Sequence, residues 1–207
     1  MTMDKWRNPQ AVWDERFREQ EPVYGTKPNG YVEKQAARLK AGGKVLVPAD
    51  GYGRNGQWLA RQGFDVHTVD LSPVGVERSQ KAAKAAGLTM KIEQADLAKW
   101  NWPVGEFDGV VAIFLHLPPE ERAKVHGAMA RALKPGGLLI FEAFSRGQLE
   151  FRTGGPKDAN LLYTAELLRE DFAPAEVLEL EEVTQYMEEG TKHSGMSAVV
   201  HGVFRAV

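Results

Sequence analysis

The 207-residue chain carries 26 Lys and Arg against 28 Asp and Glu, a formal net charge of −2 with both signs interspersed. That balance leaves no electrostatic footprint for nucleic acid, and the absence of cysteine excludes disulfides, a thiolate nucleophile and cysteine-ligated zinc. The apolar runs fall far short of the ~20 residues a bilayer span needs, and the N-terminal stretch has no apolar signal core, so a single cytoplasmic domain is expected.

Residues 1–40 come before the first strand. Trp6, Val12, Trp13 and Phe17 lie among charges, and Trp13–Phe17 reads as a short amphipathic helix. Tyr24–Gly30 is a turn-rich loop, and Tyr31–Leu39 forms a second helical stretch ended by Gly42-Gly43. This extension is either a lid over a ligand or a helix packed on a sheet edge.

Lys44–Arg61 organises the rest of the chain. Val45-Leu46-Val47 is a short buried strand, broken at Pro48. The glycine turn Asp50-Gly51-Tyr52-Gly53-Arg54-Asn55-Gly56 comes next, then a helix through Trp58, Leu59 and Ala60. Strand, glycine turn, helix is the order that builds a cofactor crevice, because glycine lets backbone approach a ligand and the helix start offers unpaired N–H groups. Gly51-x-Gly53-x-x-Gly56 fits the dinucleotide fingerprint, a weak signal in isolation.

Phe64–Val69 is the second strand and ends at Asp70; Ser72 and Pro73 then suit the N-cap and first turn of a helix that stops at Gly87. Thr89–Gln94 is the third strand, followed by Asp96-Leu97. Gly109–Phe114 is the fourth, ended by His116-Leu117-Pro118-Pro119. A helix over 120–133 leads through Lys134-Pro135-Gly136-Gly137 into the fifth strand, Leu138–Phe144. This alternation implies right-handed crossovers and a mostly parallel sheet. After a short helix at Thr164–Phe172, Ala175–Met187 and Met196–Val207 are β-rich runs with only turn residues between them, so a reversed strand should complete the sheet. The fold class expected is α/β, a Rossmann-like doubly wound seven-stranded sheet with an antiparallel C-terminal hairpin.

In this order the Gly51–Gly56 loop, Asp70 after strand two, Asp96-Leu97 after strand three and Ala132–Gly137 before strand five resemble the class I S-adenosylmethionine-dependent methyltransferases. Trp13–Phe17, Tyr24–Asn29, Gly53-Arg54-Asn55, Asp70–Pro73 and Tyr163-Thr164 are similar to the tellurite-resistance and thiopurine-type small-molecule branch. The resemblance implies S-adenosylmethionine as cofactor, with S-adenosylhomocysteine as product. Its site would comprise Asp50, Gly51, Gly53, Asn55, Asp70, Leu71, Asp96, Leu97, Ala112 and Phe114. Asp70 would accept from the ribose hydroxyls, or alternatively cap the Pro73 helix. Asp96 would accept from the adenine amino group, with the Leu97 N–H on a ring nitrogen, or else form an Asx turn. Ala112–Leu115 would wall the pocket or belong to the core. The chain departs from the family's first motif at Val47 and Ala49, where an acid and a glycine are usual; Asp50 either replaces that acid near the methionine amino group or caps the turn.

An activated methyl group asks the protein chiefly for in-line positioning and exclusion of water. His116 is the candidate general base, with an orienting role for the Pro118-Pro119 loop as its alternative; His193, in the hairpin turn, is expected to be solvated. Trp13, Tyr24, Arg146 and Arg152 are the candidate substrate contacts, the two arginines serving an anionic acceptor or lying idle on the surface. The five histidines are scattered, and no metal site is expected. The expected reaction is methyl transfer to a small molecule such as a metalloid oxyanion or thiol, with no nucleic-acid or membrane partner and the oligomeric state open. Other readings are a nicotinamide-dependent oxidoreductase and a non-catalytic binding protein of the same fold.

Overall fold

The computed structural model describes residues 8–207; Trp6 lies outside them. Seven strands form one sheet in the order β3-β2-β1-β4-β5-β7-β6. They are β1 (Lys44–Pro48), β2 (Asp65–Asp70), β3 (Lys91–Gln94), β4 (Phe107–Ile113), β5 (Leu133–Phe144), β6 (Glu176–Glu189) and β7 (His193–Arg205). The first five pair in parallel, and β7 inserts antiparallel between β5 and β6. The α/β class and reversed C-terminal strand read from the sequence are both present. The helices are α1 (Pro9–Arg18), α2 (Gly30–Gln35), α3 (Arg54–Arg61), α4 (Pro73–Ala85), α5 (Pro119–Ala132) and α6 (Ala165–Asp171).

Strand composition follows from burial on both faces. Leu46, Val110, Ala112 and Phe141 pack into one apolar layer with Val125 and Met129 of α5 and Leu168 of α6. Their strand neighbours Val45, Val47, Val111, Ile113 and Ile140 pack into the opposite layer with Val32 of α2 and Leu59 of α3. Residues alternate between two apolar layers, so the central strands read as unbroken hydrophobic runs.

Local chemistry sets the boundaries. Ser72 Oγ accepts from the Gly75 N–H with Pro73 in the first turn, starting α4 where the sequence placed it. Asn29 accepts from the Tyr31 and Val32 N–H groups to start α2. Other boundaries differ: the hairpin strands extend to Glu189 and from His193, and the Lys134–Gly137 turn lies inside β5, where it interrupts the register between Phe107↔Leu133 and Gly109↔Leu138. Pro135 has no N–H to give the ladder, so the segment bulges out of it.

Candidate functional site

β1 and β4 are neighbouring parallel strands at the point where the strand order reverses, the place where open α/β sheets form a crevice beyond the strand ends. The residue following each strand adopts a left-handed conformation: Ala49 at φ 56° and Phe114 at φ 53°. Such values are uncommon for residues with a Cβ and cost energy, and they collect where a site holds the backbone in place. Both residues face the crevice.

Two buried carboxylates shape the loop between them. Asp50 Oδ2 accepts from the Gly56 N–H (2.9 Å), while its Oδ1 is buried without a partner. Burial pushes the Asp50 carboxyl up to about 7 despite the Gly56 N–H and the Arg54 charge, and the nearby Asp70 adds to the rise. Asp70 accepts from the Gly51 N–H at Oδ2 (2.7 Å) and the Ser72 N–H at Oδ1 (2.8 Å). Burial raises it to about 6 against those two donors. Each Asp70 oxygen keeps a further lone pair.

The crevice has two chambers. One, of about 410 Å³, is bordered by Asp70, Leu71, Asp96, Leu97, Leu115 and Pro118, a size within the roughly 300–1,000 Å³ typical of small-molecule pockets. The other, of about 150 Å³, is walled by Tyr24, Phe144, Asp50, His193 and the Gly154-Gly155-Pro156 loop. Trp13, Phe17, Ala49, Phe114 and His116 border both.

α1 roofs the junction. The Phe17 ring touches Gly51 and Gly75, packs edge-on against Tyr52 and stacks with Trp13. The helix is fastened to α4 and its N-cap at its middle and C-terminal end: Ser72 Oγ donates to Asp14, and Arg78 donates to the carbonyls of Phe17 and Glu19 (both 2.7 Å).

The His116 Nδ1–H donates to the Leu161 carbonyl (2.6 Å), because that oxygen can only accept. This fixes the tautomer and leaves Nε2 as a bare lone pair, buried and unpartnered. The ring stacks against Phe144 and Tyr163, and burial drops its pKa to about 4. His193 is not solvated as expected. It is buried beside Tyr24, Phe114 and Phe144, and burial, helped by the charges of Arg54 and Arg16, lowers its pKa well below the usual value. Two neutral imidazoles therefore face the small chamber. Three cations line it: Arg54 is ion-paired with the mostly buried Glu189, Arg16 donates to the neutral Tyr24 hydroxyl (2.8 Å) and lies over Trp13, and Lys192 borders the hairpin side.

The other residues singled out from the sequence divide between the chambers and the rest of the molecule. Asp50, Gly51, Asn55, Phe114, His116, Trp13 and Tyr24 meet at the small chamber, and Asp70, Leu71, Asp96 and Leu97 at the large one. Asp96 also forms the alternative Asx turn, accepting from the Ala98 N–H (3.0 Å), and binds Lys99. Four expectations need correction. Ala112 is fully buried in the core layer, covered by its neighbours, and borders neither chamber. Gly53 borders neither chamber and faces α4, where a Cβ would strike Ser79. Arg146 and Arg152 are exposed outside both chambers; the loop that carries them turns Gly154–Pro156 inward instead. Arg16, Tyr52, Phe144 and His193 were missed, and of these only Arg16 carried a local signal, one residue before Phe17 on the amphipathic helix.

Residues 45–137 match a family model described as "Methyltransferase domain". The chain is 33% identical over 118 residues to the methyltransferase GfsG of Streptomyces halstedii, over 54% of this chain and 42% of that protein; the curated relatives it matches are thus covered over about two fifths of their length. A structure reported as "Conversion of a Disulfide Bond into a Thioacetal Group during Echinomycin Biosynthesis" superposes with a TM-score of 0.78 at 25% identity, covering 96% of this chain and 93% of that one. TehB from Haemophilus influenzae superposes with a TM-score of 0.69 at 18% identity, over 86% of this chain and 61% of its own, a likeness of fold. The domain match over residues 45–137 and the likeness of fold make this chain similar to S-adenosylmethionine-dependent methyltransferases.

Proposed function

We propose that the protein transfers a methyl group from S-adenosylmethionine to a small soft nucleophile, a thiol before a metalloid oxyanion. The observation that carries this reading is the pair of chambers meeting at Trp13, Phe17, Phe114 and His116. The larger chamber has the carboxylates and apolar walls an adenosine needs: Asp70 for the ribose hydroxyls, Asp96 for the adenine amino group, Leu71 and Leu97 against the ring. The partnerless Oδ1 of Asp50, beside the glycine loop, suits the ammonium of the methionine part. S-Adenosylmethionine supplies an already activated methyl carbon.

The rest falls to the chain's own residues. Phe17 and Trp13, carried by α1 as a lid, exclude water from the junction of the chambers. Phe114 and Phe144 offer an aromatic wall to a polarisable atom. His116 Nε2 accepts a hydrogen bond from the acceptor and orients it; with a pKa of about 4 it is too weak a base to take a proton from a thiol of ~8.5 outright. The small chamber admits only a compact group and has aromatic walls in Phe114 and Phe144, which favours a polarisable sulfur nucleophile over a strongly hydrated oxyanion. Arg54 is paired with Glu189, while Arg16 and Lys192 keep their charges and suit a thiolate. The structural relative at TM-score 0.78, reported for chemistry at sulfur, agrees with that order of preference.

The test is a screen of small thiols, selenite, tellurite and small amines, following S-adenosylhomocysteine release, with calorimetric titration of S-adenosylmethionine and NADH alongside. Turnover of thiols above the oxyanions is expected. Turnover of tellurite alone would reverse the preference, and binding of NADH but not S-adenosylmethionine would sink the methyl-transfer reading.

A further inference from the structure

The C-terminal hairpin holds a second constellation that borders neither chamber. Glu181 and His201 face each other across β6 and β7, and Glu179 lies two residues along β6 on the same face. One ligating atom from each lies within 4.8 Å of the others. The three come from two strands about twenty residues apart, so no local spacing marks them in the sequence.

His201 is 6% exposed, and its Nδ1 is buried with no hydrogen-bond partner. Its other nitrogen is committed: Nε2 lies 2.7 Å from Glu142 Oε2, and the carboxylate accepts there, so Nε2 carries the proton and Nδ1 presents a lone pair. Tyr31 stacks on the ring with centroids 4.0 Å apart at 13°, which holds its orientation. Glu179 is oriented in turn by the Tyr31 hydroxyl (3.0 Å), Gln35 Nε2 (2.9 Å) and Arg38 (3.0 Å). Glu181 Oε1 is 3.8 Å from His201 Nδ1, and its exposed carboxylate is free to swing. A buried imidazole donating to a carboxylate while aiming its bare nitrogen at two further carboxylates is the outer-shell arrangement of a metal-binding histidine. Ligand bonds of about 2.0–2.2 Å put tetrahedral donors roughly 3.4 Å apart, a contraction of under an ångström for the Glu181–His201 pair.

We infer that His201 Nδ1, Glu181 and Glu179 form a binding site for a divalent transition cation of zinc type. One nitrogen and two carboxylate oxygens suit zinc, cobalt or nickel better than magnesium or calcium, which prefer all-oxygen sets. Three protein donors leave the remaining positions to solvent. The bound ion would brace β6 to β7 and, through Glu179, to Tyr31 and Gln35 of α2. Arg38 is its competitor for Glu179 Oε2.

The test is calorimetric titration of chelator-treated full-length protein with zinc chloride. One ion per chain is expected, with Glu181→Gln and His201→Gln each weakening binding at least tenfold and His193→Gln leaving it unchanged. Zinc should raise the melting temperature of the wild type and not that of Glu181→Gln. Glu181 is exposed, so its variant keeps the fold and decides the matter if His201→Gln does not fold. Absence of saturable binding, or binding that survives Glu181→Gln undiminished, overturns the assignment.

Discussion

The Phe17 ring lies so close to the Gly51 backbone that a Cβ there would come within 2.7 Å of Phe17 Cζ. The glycine loop and the N-terminal helix are thereby one assembly, since α1 reaches the site by closing on a position where only glycine leaves room. Phe17 belongs to none of the three main apolar clusters, so its loss should loosen the roof without dissolving the core. Phe17→Ala removes apolar contact of about 1.5–3 kcal/mol in full burial, and part of it goes to holding α1 closed. The expected outcome is roughly tenfold weaker S-adenosylmethionine binding by calorimetry, with faster proteolysis before residue 20 and an unchanged cooperative unfolding transition. Unchanged affinity would mean α1 is edge packing and not a lid.

Ala49 stands where the resemblance implies glycine, and its φ of 56° is a conformation that favours one. A residue with a Cβ in this region is strained by about 1–2 kcal/mol, while glycine gives back about 0.4–1 kcal/mol through its freer unfolded chain. Ala49→Gly should therefore stabilise the protein by about 0.5–1 kcal/mol, read as a higher urea midpoint at unchanged slope. A lower midpoint would show that the Ala49 methyl contributes packing that outweighs the strain.

The sheet was legible because burial on both faces writes itself into the sequence as apolar runs, and because Ser72-Pro73 and the Gly51–Gly56 turn have local chemistry that admits few conformations. Asp50, Asp70 and Asp96 were legible by their position after strands. His193 was not: it looks like a turn residue, and its burial depends on Tyr24, Phe114 and Gly154, each nearly forty or more residues away along the chain. Arg146 and Arg152 show the converse failure. Their place after β5 was right, but the direction in which the following loop turns is a tertiary property that spacing does not carry. The Glu179, Glu181 and His201 cluster was hidden for the same reason, since strand register alone brings it together.

Asp50 and Asp70 make the free protein less stable as pH rises. Burial holds their folded pKa values at about 7 and about 6, above the unfolded carboxylate range near 4. Between about pH 4 and 7 the folded state thus binds more protons than the unfolded one, and stability falls by at most about 1.4 kcal/mol per pH unit per group. The Asp50 contribution isolates itself in the difference between wild type and Asp50→Asn: the variant should gain stability relative to wild type from pH 4 to 7 and hold a constant difference above. Because an ammonium group would favour the ionised carboxylate, S-adenosylmethionine binding at pH 6 should release protons in the wild type and fewer in Asp50→Asn, measured by calorimetry in buffers of different ionisation enthalpy. Equal proton release in both proteins would separate Asp50 from the methionine ammonium.

His116 sets a different pH signature. Its Nδ1–H is fastened to the Leu161 carbonyl and burial keeps its pKa near 4, so the ring is already neutral throughout pH 6–9. Were it the proton acceptor with its pKa restored to that of an ordinary histidine, the rate would break near ~6.5. With His116 as an orienting acceptor, kcat/KM for a thiol should instead climb toward the thiol's own pKa of ~8.5, where the thiolate forms in solution. His116→Ala should lower kcat tenfold or more while leaving the cofactor Kd within about twofold, because His116 borders both chambers and not the Asp70–Asp96 side alone. The break in the pH profile should stay where it is in the variant. A break that moves on mutation of His116, or that appears near 6.5 in the wild type, would identify this imidazole as the base after all and require that closure of the site return its pKa toward the solution value.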